Sequence, residues 1–126
     1  MIDKRLRHHF GNWRPGHVEY AHVAQPLEAT LTLLGRSDLA AQPTVAIVGA
    51  RNASAAGRKL ARDISAGLGA AGFVVVSGLA LGIDGEAHAA TLRTGTIAVL
   101  GGGVDHVYPP QHERLYAEIA AEGLIV

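Results

Sequence analysis

The sequence predicts an α/β protein whose sheet is mostly parallel. Apolar, β-branched runs recur at spacings of about 25 residues, a helical segment follows each of them, and a glycine-containing loop separates strand from helix. Regular alternation of strand and helix favours right-handed βαβ crossovers, which place the strands side by side in one sheet. With 126 residues, the chain is long enough for one domain with one core.

The first clear strand is the apolar run at residues 45–48, which ends at Gly49 and is typical of a strand buried on both faces of a parallel sheet. After the loop at 50–54, the spacing of apolar residues predicts a helix that ends at Gly72. The apolar stripe that we expect to face the core comprises Leu60, Ala61, Ile64, Leu68 and Ala71.

The unit then repeats along the chain. Strands are predicted at 73–76 and 96–100, and helices at 84–92 and 111–121. Residues 124–126 begin a further strand, which we expect to have little to pack against. Ahead of these units, alternation at 30–33 followed by a turn at 35–38 predicts one short strand.

These elements predict a Rossmann-like, three-layer αβα arrangement with a mostly parallel sheet, incomplete at the C-terminus. We assign this partial domain to residues 26–126. Residues 1–25 show no clean periodicity and hold four of the seven histidines, so we expect a poorly ordered arm. Adjacent His8 and His9 favour a solvated tail over a metal site, because they lack helical spacing and a nearby carboxylate or thiol.

Composition restricts the classes of function. Apolar residues make up 48% of the chain and charged residues 17%, as in globular proteins. There is no cysteine, so disulfides and thiolate metal sites are excluded, and no signal peptide or membrane span is predicted; we expect a cytoplasmic protein. Eleven basic residues balance eleven acidic ones, so any nucleic-acid contact must depend on a few local groups.

Ligands of such sheets bind beyond the carboxyl ends of the strands, which directs attention to three loops. The first contains Gly49, Arg51, Asn52 and Ser54 but lacks the G-x-G-x-x-G spacing of dinucleotide sites. Free amides at a helix N-terminus beside an arginine suit a phosphate oxygen. The alternative, equally compatible with the residues alone, is a solvated Arg51 and a Ser54 that only caps the helix.

The second loop offers Ser77, Gly78, and the pair Asp84 and His88 at i, i+4. Acid–base catalysis would need a group that orients the imidazole and a nucleophile, for which only Ser77 is at hand. A metal would need a third ligand. We favour a structural role, in which Asp84 caps the following helix and His88 braces the loop.

The third loop begins with Gly101 and Gly102, whose amides could also approach a phosphate, although glycine runs also simply turn chains. It ends with Tyr108 and two prolines. For Tyr108 a packing role is favoured over a role as a base-stacking platform.

The order and spacing of these segments resemble the DprA/Smf family of DNA-processing proteins. The resemblance is carried by VAIVGAR at 45–51, VVSGLA at 75–80, GID at 82–84, AH at 87–88, TIAVL at 96–100 and YP at 108–109. It implies an extended Rossmann-fold homodimer that binds single-stranded DNA during natural transformation and helps to load the RecA recombinase. It implies no cofactor and no reaction.

The family's glycine-x-arginine motif implies that Arg51 contacts DNA phosphate and that Gly49, Ser77 and Gly78 shape the same pocket. Arg58 and Lys59 on the helix that follows are secondary candidates. Many relatives have arginine at the position of Leu81, which implies weaker binding here. The resemblance also implies that the second half of the family's fold, with its dimer surface, lies beyond Val126.

Two enzymatic alternatives remain. One is a nucleotide hydrolase of the nucleoside-monophosphate type, although its usual glycine-glycine-x-glycine-threonine motif is not found at 102–105. The other is a dinucleotide-dependent oxidoreductase, which the missing fingerprint glycines disfavour.

Overall fold

A computed structural model describes residues 31–126. The proposed arm at 1–25, with its histidines, and residues 26–30 lie outside the described residues. None of the described helices is long and apolar enough to span a membrane. The strands are β1 (Leu34–Gly35), β2 (Thr44–Ala46), β3 (Val74–Ser77), β4 (Thr96–Ala98) and β5 (Leu124–Ile125), and the helices are α1 (Ala55–Ala70), α2 (Ile83–Thr91) and α3 (Glu113–Glu122), with 3-10 turns at Ser37–Ala41 and Pro110–His112.

The five strands form one sheet in the order β1-β5-β4-β3-β2. β2 to β5 are mutually parallel, and β1 runs antiparallel to β5. The predicted α/β, Rossmann-like class with a mostly parallel sheet is confirmed. Because each crossover steps to the neighbouring strand in the same direction, right-handed connections place all three helices on one face.

Apolar side chains are buried on both sides of the sheet. On the helical face, Leu79, Ala98, Ile119 and Ile125 form one cluster, against which α3 packs. On the opposite face, Leu39 of the first 3-10 turn covers Val74, Ile97 and Leu124. This division follows from the alternation of side chains along each strand.

β5 lies inside the sheet, so the expectation that it has little to pack against is wrong. Leu124 and Ile125 are fully buried. The strand predicted at 30–33 is also displaced, because the structure places β1 at Leu34–Gly35, followed by a 3-10 turn. β1 pairs with β5 and covers its outer edge, and Gly35 adopts a φ of 105° against the backbone of Gly123.

β2 is the other edge of the sheet, and the expectation that it is buried on both faces is wrong. It pairs with β3 only, and the side chain of Val48, just beyond it, is 72% exposed. Within the described chain, neither a strand nor a helix covers the outer side of residues 44–48.

The apolar stripe predicted for α1 is only partly correct. Ala61 is buried, but Leu60 and Ile64 are 60% and 46% exposed. The face that packs closely against α2 is lined instead by small residues, Ala61, Ser65 and Gly69. At Gly69 a Cβ would collide with the side chain of Thr94, so the larger side chains are turned away from this contact.

Candidate functional site

The loop after β2 carries Arg51 to the carboxyl edge of the sheet, where it borders two adjoining cavities. The second loop holds its backbone in place. Ile83 donates its amide hydrogen to the carbonyl oxygen of Ala50 (3.3 Å). Gly82 has a φ of 79°, and a Cβ there would collide with the carbonyl oxygens of Ala50 and Arg51. The position of Arg51 therefore depends on close packing between the two loops.

The larger cavity is an open cleft of about 650 Å³ between the N-terminal parts of the three helices. The first loop and α1 contribute Arg51, Asn52 and Arg58 to its lining; α2 and the loop before it contribute Leu81, Gly82, Gly85, Glu86 and Ala89; and the last turn and α3 contribute Gln111, His112, Arg114, Leu115 and Glu118.

Ion pairs neutralise both carboxylates of this cleft but leave two of its arginines without a described partner. Glu86 accepts from Arg62 (2.8 Å) and Glu118 from Arg114 (2.9 Å), so both carboxylates of the lining are paired. Arg51 and Arg58 make no ion pair with another described residue. Positive charge is thus concentrated where the first loop meets α1, close to the partial positive charge of a helix N-terminus.

Asp84 accepts hydrogen bonds from backbone amides of the first two loops. Its Oδ1 accepts from the amide of Gly49 (3.3 Å), and its Oδ2 accepts from those of Gly78 (3.2 Å) and Ala80 (3.4 Å). The residue lies inside the first turn of α2, whose N-cap is Gly82, so the expectation that Asp84 caps this helix is wrong. Its buried carboxylate ties the first two loops together and makes these three amides unavailable to a phosphate.

Two histidines hold the strained residue between these loops. Leu79 has a φ of 62°, in the left-handed region that non-glycine residues rarely adopt. His88 Nε2 accepts from its amide (3.3 Å), and His112 Nδ1 donates to its carbonyl oxygen (2.8 Å). Both backbone groups of Leu79 are therefore bonded to imidazole rings.

The hydrogen bonds of His88 fix its tautomer. The hydroxyl of Thr96 donates to the carbonyl oxygen of Val75 (3.2 Å), so its Oγ1 accepts the Nδ1 proton of His88 (2.7 Å). Nε2 must then be unprotonated to accept from Leu79. Burial lowers the pKa of His88 from 6.5 to about 4; Asp84 opposes this effect and His112 adds to it.

The remaining predicted site residues lie apart from the cleft. Ser77 Oγ donates to the carbonyl oxygen of Ile47 (2.6 Å), and Ser54 caps α1 by accepting from the amide of Gly57 (3.1 Å). Lys59 pairs with Asp63 on the exposed side of α1. Gly101 and Gly102 are exposed and border neither cavity.

A smaller cavity of about 90 Å³ adjoins Arg51 on its other side. Gly78, Ala80, Leu81, Tyr108 and Pro109 complete its lining. Leu81 borders both cavities. Among residues 31–126, no group of three histidine or carboxylate side chains lies close enough together to hold a metal ion.

Sequence reasoning missed the contribution of the last helix to the cleft. Gln111, His112 and Arg114 follow the third loop, and the parallel order of β3 and β4 brings their helix beside α2. The available signal was the position of the Tyr108–Pro109–Pro110 segment, directly before a helix N-terminus at the functional edge.

Comparison with known proteins places this chain among DNA-processing proteins. The family model for DNA recombination-mediator protein A matches residues 16–126. Protein Smf of Synechocystis is 52% identical over 86 residues, which cover 67% of this chain and 22% of that protein. DNA processing protein DprA of Streptococcus pneumoniae is 44% identical over 94 residues, which cover 73% of this chain and 33% of that protein.

Solved structures show the same fold. DNA processing protein A of Helicobacter pylori, whose structure concerns a single-stranded DNA binding mode, superposes with a TM-score of 0.68 at 32% identity and covers 74% of this chain and 43% of that one. The X-ray structure of DprA from S. pneumoniae also gives a TM-score of 0.68, at 42% identity, over 74% of this chain and 33% of that one. The chain thus spans less than half of each of these proteins.

Proposed function

The chain belongs to the DNA recombination-mediator protein A family, and we propose that it binds single-stranded DNA at the cleft, with Arg51 as the principal phosphate contact. The observation that carries this proposal is the position of Arg51 at the carboxyl edge of the sheet, between two cavities and without an ion pair to another described residue. A guanidinium in this setting offers its donors to a phosphate without first breaking a described contact.

Arg58 and Asn52 are the secondary contacts in this proposal. Both border the cleft beside Arg51, and Arg58 lies in the first turn of α1. Lys59 is assigned no contact, because it pairs with Asp63 outside the cleft. With two cations engaged, the logarithm of the binding constant for a single strand falls with the logarithm of salt concentration with a slope of about −1.4.

Binding without a chemical step is favoured by how the reactive side chains are used. Ser77, Asp84 and His88 each form a hydrogen bond to a main-chain atom, at distances from 2.6 to 3.4 Å. These bonds support the loops and the strained Leu79. A nucleophile, a general acid or a general base would have to give up such a bond in order to act.

The family resemblance also leads to a proposal about the biological role of this binding. We propose that the bound strand is DNA taken up during natural transformation, that it is delivered to the RecA recombinase in the cytoplasm, and that homodimerisation accompanies this role. The proposed domain comprises residues 26–126, and the proposed arm residues 1–25. The curated relatives above are three to five times as long as the matched segments, so these activities are proposed for the family's full-length proteins.

The test is fluorescence anisotropy of a labelled (dT)20 oligonucleotide at low salt, with wild type, Arg51→Ala and Arg93→Ala. Loss of a charge-assisted phosphate contact predicts an affinity for Arg51→Ala roughly tenfold to a hundredfold lower. Arg93 is the matched control: an exposed arginine just past the end of α2 that borders neither cavity, so its variant should bind within twofold of wild type. Equal affinity of Arg51→Ala and wild type would remove the assignment.

A further inference from the structure

We propose that the ring of Tyr108 is a stacking platform for one base of the strand whose phosphate Arg51 binds. This inference rests on the proposed function and adds to it a residue that contacts the base instead of the backbone. The sequence alone favoured packing for this side chain, and the structure contradicts that expectation.

The exposure of Tyr108 distinguishes it from the packed aromatic side chain nearby. Tyr108 is 61% exposed and belongs to neither hydrophobic cluster. Tyr116, by contrast, packs against the helical-face cluster, and its hydroxyl donates to the carbonyl oxygen of Val104. The phenol of Tyr108 forms no hydrogen bond with another described residue, so a ligand can cover its face without displacing such a contact.

The position of Tyr108 pairs an aromatic face with a phosphate-binding cation. Tyr108 and Arg51 border the same cavity of about 90 Å³. That volume corresponds to roughly three water molecules, so a base would lie over the ring instead of entering the cavity. Neighbouring phosphates and bases of a single strand are a few ångströms apart, and proteins that hold such strands combine basic groups with exposed aromatic rings in this way.

The backbone segment that carries the ring of Tyr108 is held by contacts with its neighbours. Pro109, directly after it, is buried, and Pro110 begins the 3-10 turn that leads into α3. Within that turn, His112 donates to the carbonyl oxygen of Leu79 (2.8 Å), which ties the segment to the second loop. Because the backbone that carries the ring is held before binding, little backbone entropy is lost when a base stacks on the ring.

The experiment compares two ligands of equal length and charge: labelled (dT)20 and the same oligonucleotide with abasic sites throughout. The proteins are the full chain in four forms: wild type, Tyr108→Phe, Tyr108→Leu, and Leu60→Ala as a control. Leu60 has nearly the same exposure as Tyr108 but borders neither cavity. Thermal unfolding of each variant checks that the fold is retained.

Stacking predicts a pattern that a structural role would not give. Tyr108→Leu should bind (dT)20 roughly fivefold to a hundredfold more weakly than wild type, with unchanged affinity for the abasic strand. Tyr108→Phe keeps the ring and should bind both ligands within twofold of wild type, as should Leu60→Ala. Wild type itself should prefer (dT)20 to the abasic strand.

The outcomes separate this inference from the proposed function. If wild type binds neither ligand, the proposed function fails. If wild type binds both ligands equally, or Tyr108→Leu binds (dT)20 as tightly as wild type, single-strand binding stands and the stacking role is overturned. A loss of equal size on both ligands also overturns it, because the residue would then act by shaping the loop.

Discussion

Protonation of His88 should destabilise the fold between pH 6.5 and about pH 4. The ring is fully buried, and its pKa is lowered to about 4 because burial disfavours the charged form. Below pH 6.5 the unfolded chain takes up a proton at this residue that the folded chain does not. The free energy of unfolding therefore decreases as the pH falls through this interval and levels off below the folded-state pKa.

The size of the effect follows from the two pKa values. The difference between 6.5 and about 4 corresponds to about 3 kcal/mol in total. Integration from pH 8 to pH 5 gives a loss of about 2 kcal/mol from this group alone. The main cause is burial of the ring. The geometry agrees with it, because a proton on Nε2 would face the amide of Leu79, 3.3 Å away.

The assay is urea unfolding at pH 8, 6 and 5 with wild type, His88→Gln and His106→Gln. Glutamine keeps one donor and one acceptor but does not titrate, so the loss of wild type between pH 8 and 5 should exceed that of His88→Gln by about 2 kcal/mol. His106 is exposed, and its variant should follow the wild-type profile. Parallel profiles for wild type and His88→Gln would refute the reasoning.

Two further predictions concern the loops and the packing of α1. Asp84→Ala leaves three amide donors without their acceptor and should lower the free energy of unfolding by about 3 kcal/mol. Inorganic phosphate can then bind the freed amides, so it should raise the Tm of this variant more than that of wild type. Equal Tm shifts would contradict this. Ala61→Leu should lower the free energy of unfolding, measured with urea, by about 1–3 kcal/mol through overpacking against α2, and Leu60→Ala by less than about 0.5 kcal/mol. The reverse order would show that Leu60, and not Ala61, is packed in the core.

The elements that sequence predicted well are those with a strong local pattern. β3 and β4 are β-branched runs, and each is followed by a helix and bounded by glycine, so their type and order could be deduced. Because they are parallel, the loops that follow them had to meet at one edge. That argument directed attention to the three loops, including the loop after β2 that carries Arg51. The family resemblance then singled out Arg51 within it.

The position of a strand in the sheet is not a local property. The runs that contain β2 and β5 look alike in sequence, yet β2 is an edge and β5 is interior. The difference depends on β1, a strand of two residues that is too short to produce a detectable period. The packed face of α1 was predicted incorrectly for a related reason. Helical periodicity is compatible with two adjoining stripes of side chains on this helix. The close contact at Gly69 selects the stripe with small side chains.

The predicted phosphate site shows why a glycine-rich loop is a weak signal by itself. Gly49 and Gly78 do present their amides in one place, but Asp84, which follows them by 35 and 6 residues, reaches both with one carboxylate. Sequence could not reveal this, since the three residues meet only after β2 and β3 have paired. With the amides of Gly49, Gly78 and Ala80 occupied by the chain's own carboxylate, the proposed binding of DNA depends on the side chains of Arg51, Asn52, Arg58 and Tyr108, which point mutations can remove one at a time.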